Sequence, residues 1–116
     1  MKALFAGFAL AITACAHGNS GRSCRENPAF QRAFFHHVDV VETYTRERNT
    51  GAEVYTLGPD EMLDSMAFLE TYTAVPMGPV LNYEVGYANM ELFLKDKKRW
   101  LRWYDAHKCA NLQPDK

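Results

Sequence analysis

Proline and glycine divide this 116-residue chain, beyond residue 23, into three stretches that can be helical. Asn27-Pro28 offers a capping side chain followed by proline at the first helical position, and Asn49-Thr50-Gly51 supplies a stop. Gly58-Pro59 opens the second stretch, with Asp60 and Glu61 in the first turn where the helix dipole favours negative charge. Pro76, Gly78, Pro79 and Gly86 then bar either neighbouring helix from running through 74–88. The third stretch begins at Asn89.

Apolar periodicity fills the same frame. Phe30, Phe34, Val38, Val41 and Thr45 recur at helical spacing and predict a helix over 28–48, although the β-branched cluster Val38, Val40, Val41, Thr43 and Thr45 opposes it. Val54 to Leu57 reads as a short extended segment. Met62, Leu63, Met66, Leu69 and Thr73 form the expected inner stripe of the second helix. The third starts at Asn89, with a restart expected at Asp96, and ends near His107. The expectation is a small all-α domain of three helices, with a long Pro/Gly-containing loop before the last. A structureless connection of fifteen residues is unusual in a compact domain and points to a functional loop; Tyr83 and Tyr87 are its candidate contact residues.

Ahead of this domain, Lys2 precedes the apolar run Ala3 to Ile12, with small residues behind it. That is the pattern of a secretory signal. The run is shorter than the roughly 17–25 apolar residues that a bilayer requires. Cleavage before Cys15 and cleavage after Ala16 both satisfy the small-residue rule, and the second implies plain secretion.

Ile12-Thr13-Ala14-Cys15 resembles the lipobox of bacterial lipoproteins. The resemblance covers the leader alone and implies removal of 1–14 and acylation of Cys15, palmitate included. Several acyl chains on one cysteine make attachment effectively permanent, since one chain alone binds only marginally. Ala16, in place of aspartate after the cysteine, implies the outer membrane facing the periplasm in a Gram-negative cell. Residues 15–23 are then the lipidated cysteine and a small, polar tether, and 24–116 a single domain.

Under either cleavage two thiols remain, Cys24 and Cys109. An even pair in an oxidising compartment predicts a disulfide, and closing a loop of 85 residues would stabilise by roughly 4–5 kcal/mol in the chain-entropy model. Two buried free thiols are the alternative. Two distant cysteines alone do not make a metal site.

Charge is unevenly placed. Residues 16–94 carry five basic and eleven acidic groups, whereas 95–108 carry Lys95, Lys97, Lys98, Arg99, Arg102 and Lys108 against Asp96 and Asp105. The overall balance argues against nucleic-acid binding. At 100° per residue Leu92, Phe93, Trp100, Trp103, Tyr104 and His107 share about 120° of arc, with Lys95, Lys98, Arg99 and Arg102 opposite. The aromatic stripe reads as core and the basic face as solvated; alternatively that face meets anionic headgroups or an acidic partner. Lys95-Asp96 with Trp100, Trp103 and Tyr104 also resembles the C-terminal helix of small bacterial envelope proteins, a likeness that implies no activity.

Residues for catalysis are sparse. His36, His37, Asp39 and Glu42 are close in sequence, but a helix turns His37 toward Phe34 and Val41 and His36 the other way, so at most His36 and Asp39 converge. A core His37 and a surface pair of His36 with Asp39 are expected, with Glu42 and Arg46 an i, i+4 pair. The mature serines Ser20, Ser23 and Ser65 lie in no nucleophile elbow, and no phosphate loop is present. The expected function is a membrane-anchored envelope module that recognises a partner protein or envelope component, without enzymatic activity, cofactor or metal. The partner surface comprises Tyr83, Tyr87, Lys95, Lys98, Arg99 and Arg102. Small-ligand binding between the helices, with Met62, Met66, Trp100 and Trp103 lining a pocket, is the alternative, and a metal-dependent enzyme a weaker one.

Overall fold

The computed structural model describes residues 24–76, 80–82 and 86–114. The signal segment 1–14, Cys15, the rest of the tether and Tyr83 lie outside the described residues. Helix α1 spans Pro28–Asn49, α2 Pro59–Thr73 and α3 Met90–His107. The domain is therefore the small all-α arrangement that the breakers predict.

Asn27 Oδ1 accepts from the backbone N–H groups of Ala29 and Phe30 at 2.9 and 3.2 Å, which starts α1 where the sequence places it. Phe30, Phe34, Val38, Val41, Tyr44 and Thr45 are buried along one side of that helix. Their packing outweighs the weak helical propensity of the β-branched residues, as expected where helical stability comes from tertiary burial. At the far end Asn49 Nδ2 donates to the carbonyls of Thr45 and Tyr87. One side chain thereby closes α1 and ties it to the chain ahead of α3.

Val54 to Leu57 pairs with no strand among the described residues; it runs as bends on the surface, with Val54 73% exposed. Side chains of α1 hold it. Glu47 accepts from the backbone N–H of Thr56 at 3.0 Å, and Arg48 Nη2 donates to the Leu57 carbonyl at 2.9 Å. The Arg48 guanidinium also lies between the rings of Tyr44 and Tyr55, 3.5 and 4.0 Å from their centroids.

In α2 the buried positions are Met62, Ser65, Leu69 and Thr73. Leu63 is not among them, contrary to the expected stripe, and is 36% exposed. Small Ser65 takes the position facing α1 and meets His37 there. The Glu61 carboxylate accepts from the backbone N–H of Gly58, which is the half of a capping box open to a glycine N-cap.

The 74–88 connection contains a short antiparallel pair, β1 Val80–Asn82 with β2 Gly86–Tyr87, in the register Val80 to Tyr87 and Asn82 to Gly86. Helix α3 then runs unbroken. Asn89 Oδ1 caps it through the Leu92 N–H at 2.9 Å, and the expected restart at Asp96 does not occur because that carboxylate is engaged by Tyr87 and Arg99.

Phe93, Trp100 and Tyr104 are buried with Asp96, as the aromatic stripe predicts, while Leu92 and Trp103 are half-buried. His107 is instead exposed and stacks on Trp103, 4.5 Å between centroids. Phe30 lies at the centre, with Tyr72 at 5.0 Å, Phe68 at 5.9 Å and Tyr104 at 6.3 Å. Beyond α3 a short turn, Lys108–Ala110, carries Cys109, whose disulfide to Cys24 joins the two ends of the domain. Met62 and Trp100 are wholly buried members of this core.

Candidate functional site

Burying Phe93, Trp100 and Tyr104 turns the opposite side of α3 outward. There Leu94 is 49% exposed and Leu101 half-buried. Phe35 of α1, 41% exposed, comes alongside with its ring 5.0 Å from that of Tyr104. These three apolar side chains form the floor of a continuous surface with three overlapping grooves. One of about 460 Å³ follows α3 past Leu94, Lys95, Lys98 and Leu101. A second, about 490 Å³, lies between Phe35 and Val38 on α1 and Leu101 on α3. The third, about 690 Å³, continues past Lys98 and Arg102 toward Glu26.

Lys97 and Glu42 join the two helices across this surface, 2.7 Å apart. Glu42 also holds Arg46 at 2.6 Å, the expected surface pair. The hydrogen bond from Lys97, assisted by Arg46, keeps the Glu42 carboxyl below its ordinary range despite partial burial. Tyr104 closes the far groove through a hydrogen bond to Glu26; burial and that carboxylate raise its phenol, which stays protonated. Lys108 pairs with Asp105 at 2.9 Å.

The predicted partner residues separate into three groups. Lys95, Lys98 and Arg102 flank the grooves and make no ion pair among the described residues. Arg99 turns to the other flank of α3 and reaches Asp96 at 3.3 Å. Tyr87 is corrected outright: it is fully buried and donates to Asp96 Oδ2 at 2.6 Å, because the short β pair folds the loop inward. It is a core residue, not a contact residue. Phe35 and Leu101 were missed as surface residues, since helical periodicity places Phe35 next to the core stripe and cannot show that α3 leaves its edge open.

His37 and Ser65 approach to 2.8 Å between Nδ1 and Oγ, a distance suited to a nucleophile and its base. Ser65 is only 2% exposed, however, and His37 stacks on Phe68 at 4.2 Å, so the pair joins α1 to α2 within the packing. The expected ion pair of His36 with Asp39 does not form among the described residues; His36 instead meets the His37 ring edge-on at 5.1 Å. Among the described residues no three His, Cys, Asp or Glu side chains gather as a metal set would require. No described helix is long and apolar enough to cross a membrane. Compared with known proteins, the chain matches no family model, no curated protein and no solved structure.

Proposed function

We propose that this protein is a lipid-anchored envelope module that docks a protein partner on the α1–α3 surface. One observation carries the reading: an apolar floor, with Phe35 and Leu94 exposed and Leu101 half-buried, has a rim that carries both signs of charge, Lys95, Lys98 and Arg102 alongside Asp39, Glu91 and Asp105. Apolar side chains at the centre and polar ones at the rim are what a recognition surface needs. Charges of both signs at the rim add steering and selectivity for a partner with the matching pattern.

The compartment rests on the leader. Lys2, the apolar run and the box ending at Cys15 supply export and acylation, and the oxidised bridge of Cys24 with Cys109 is consistent with an oxidising compartment. The outer membrane facing the periplasm is the expected address.

Crosslinking in intact cells tests the docking reading. A discrete adduct should form with the native protein and be lost with Lys98→Glu/Arg102→Glu. An adduct that persists unchanged in that variant, or no adduct at all, would overturn it. For the anchor, Cys15→Ala should release or misprocess the protein; normal maturation with retained membrane attachment would rule acylation out.

A further inference from the structure

The segment after α3 reaches both other helices. Lys108–Ala110 forms its turn, and Asn111, with φ 55° and ψ 52°, reverses the chain. Asn111 Oδ1 then accepts from Asn27 Nδ2 at 3.4 Å, beside the start of α1, and the Gln113 carbonyl accepts from the Tyr72 hydroxyl at the end of α2. Leu112, between these two attachments, packs half-buried against the core. Residues 111–114 thus form a strap over this end of the bundle. Here each helix supplies one aromatic ring: Phe30 lies 5.0 Å from Tyr72 and 6.3 Å from Trp103.

Apart from the disulfide, the strap is held weakly. Among the described residues no backbone–backbone hydrogen bond joins 111–114 to the rest of the domain. Both side-chain bonds are exposed to water, where a hydrogen bond contributes little beyond the entropy that ordering its residues costs. Cys109 stands two residues before the reversal, and its bridge to Cys24 fixes the direction in which the strap leaves α3. Cys109 is exposed and Cys24 half-buried, so the bridge is open to attack at the Cys109 sulfur.

We propose that the Cys24–Cys109 bridge is a redox latch: reduction by a dithiol frees the strap and uncovers Phe30, Tyr72 and Trp103 while the three helices stay packed. A thiolate of the donor attacks the Cys109 sulfur, the S–S bond breaks, and Cys24 leaves as a thiolate that takes up a proton. The donor's second thiolate then attacks the donor sulfur of the mixed disulfide and expels Cys109 as a thiolate, which is protonated in turn. Two electrons pass to the domain, and the donor ends as a disulfide. In an oxidising compartment the donor is an exported dithiol oxidoreductase. The helices hold because other contacts join them further along α1: His37 with Ser65, Glu42 with Lys97, and the wholly buried Val41, Tyr44 and Met62. The latch is independent of what the α1–α3 surface docks.

Acrylamide quenching of tryptophan fluorescence in the purified, oxidised protein tests this. Trp100 is wholly buried and Trp103 half-buried, so Trp103 reports on the strap. Dithiothreitol without denaturant should reduce the bridge, raise the quenching constant about twofold or more, and leave the helical circular dichroism unchanged. Reoxidation should restore the first value. Leu112→Ser with its bridge intact should raise the constant as well, since the strap then loses its apolar contact. Trp103→Phe should abolish the redox-dependent change.

A bridge that dithiothreitol reduces only after the helices unfold overturns the proposal. So does a quenching constant that is equal in the oxidised and reduced protein, or one that rises only together with loss of the helical signal. In either case the bridge is a staple and not a latch.

Discussion

Tyr87 donates its phenolic proton to Asp96 Oδ2 across 2.6 Å, and both side chains are buried, at 0% and 2% exposure. This bond fastens the end of the short β pair to the middle of α3. Burial first, and the adjacent carboxylate second, push the Tyr87 phenol far above its ordinary value, so the hydroxyl remains a donor. Arg99 supplies a charge at 3.3 Å from the other carboxylate oxygen.

Tyr87→Phe should destabilise the domain by about 1–3 kcal/mol, since a buried carboxylate loses a partner while almost no volume changes. Tyr87→Phe combined with Asp96→Asn should cost less than the two single changes added together, because each removes one side of the same contact. Urea unfolding of the three variants measures both statements. Strict additivity would show that the two groups do not act as a pair.

Two glycines with similar backbone angles should respond differently to alanine. Gly51 has φ 74° with open space where a Cβ would stand; Gly86 has φ 75° with Tyr44 Cε1 only 3.3 Å from that point. Gly51→Ala meets the left-handed penalty alone, about 1 kcal/mol. Gly86→Ala adds a clash with a buried ring and should cost about 1–3 kcal/mol more. Equal losses in thermal or urea unfolding would show that Tyr44 yields to the added methyl.

Local chemistry explains which parts could be read from the sequence. Asn27-Pro28, Gly58-Pro59 and Asn89 set the helix starts through groups within three residues, so these starts were legible. The aromatic stripe of α3 was legible for the same reason, because periodicity alone selects its inner side. Tyr87 was not. Its burial depends on Asp96, nine residues on, and on Asn49, 38 residues back, pairings that no local pattern encodes. Leu63 and Ser65 show the same limit in reverse: Ser65 faces inward against His37, 28 residues away, while apolar Leu63 faces out. Of the site, the cations were read from charge asymmetry, but the apolar floor exists only because α1 and α3 leave Phe35 and Leu101 at an open seam.

The bridge of Cys24 with Cys109 closes a loop of 85 residues by joining the segment before α1 to the turn after α3. Replacing both cysteines by serine should lower stability by about 2–5 kcal/mol, chiefly by releasing the unfolded chain. The folded variant should keep its helical circular dichroism, because the core from Phe30 to Tyr104 forms independently of the sulfurs. Denaturant midpoints compared with those of the oxidised native protein check this. An unchanged midpoint would mean that the cross-link constrains little.

His37 makes stability depend on pH in a window separate from the carboxylates. Burial lowers its pKa below the ordinary 6.5, His36 lowers it further, and Asp64 partly opposes both. The unfolded chain therefore binds a proton more readily than the folded one, and stability rises with pH between the folded and unfolded values. As pH falls through 6.5 the domain should lose stability, until the folded imidazole is itself protonated. Glu42 and Glu47 are both lowered from 4.5, so their contributions are lost only as pH falls below that value. Melting curves from about pH 7.5 to 5.5 thus isolate the histidine. His37→Gln should flatten the dependence in that range. Asp64→Asn should steepen it, because the one acidic group that favours protonated His37 is gone. A native profile that is flat across the window, or an unchanged slope in His37→Gln, would place the titration elsewhere in the molecule.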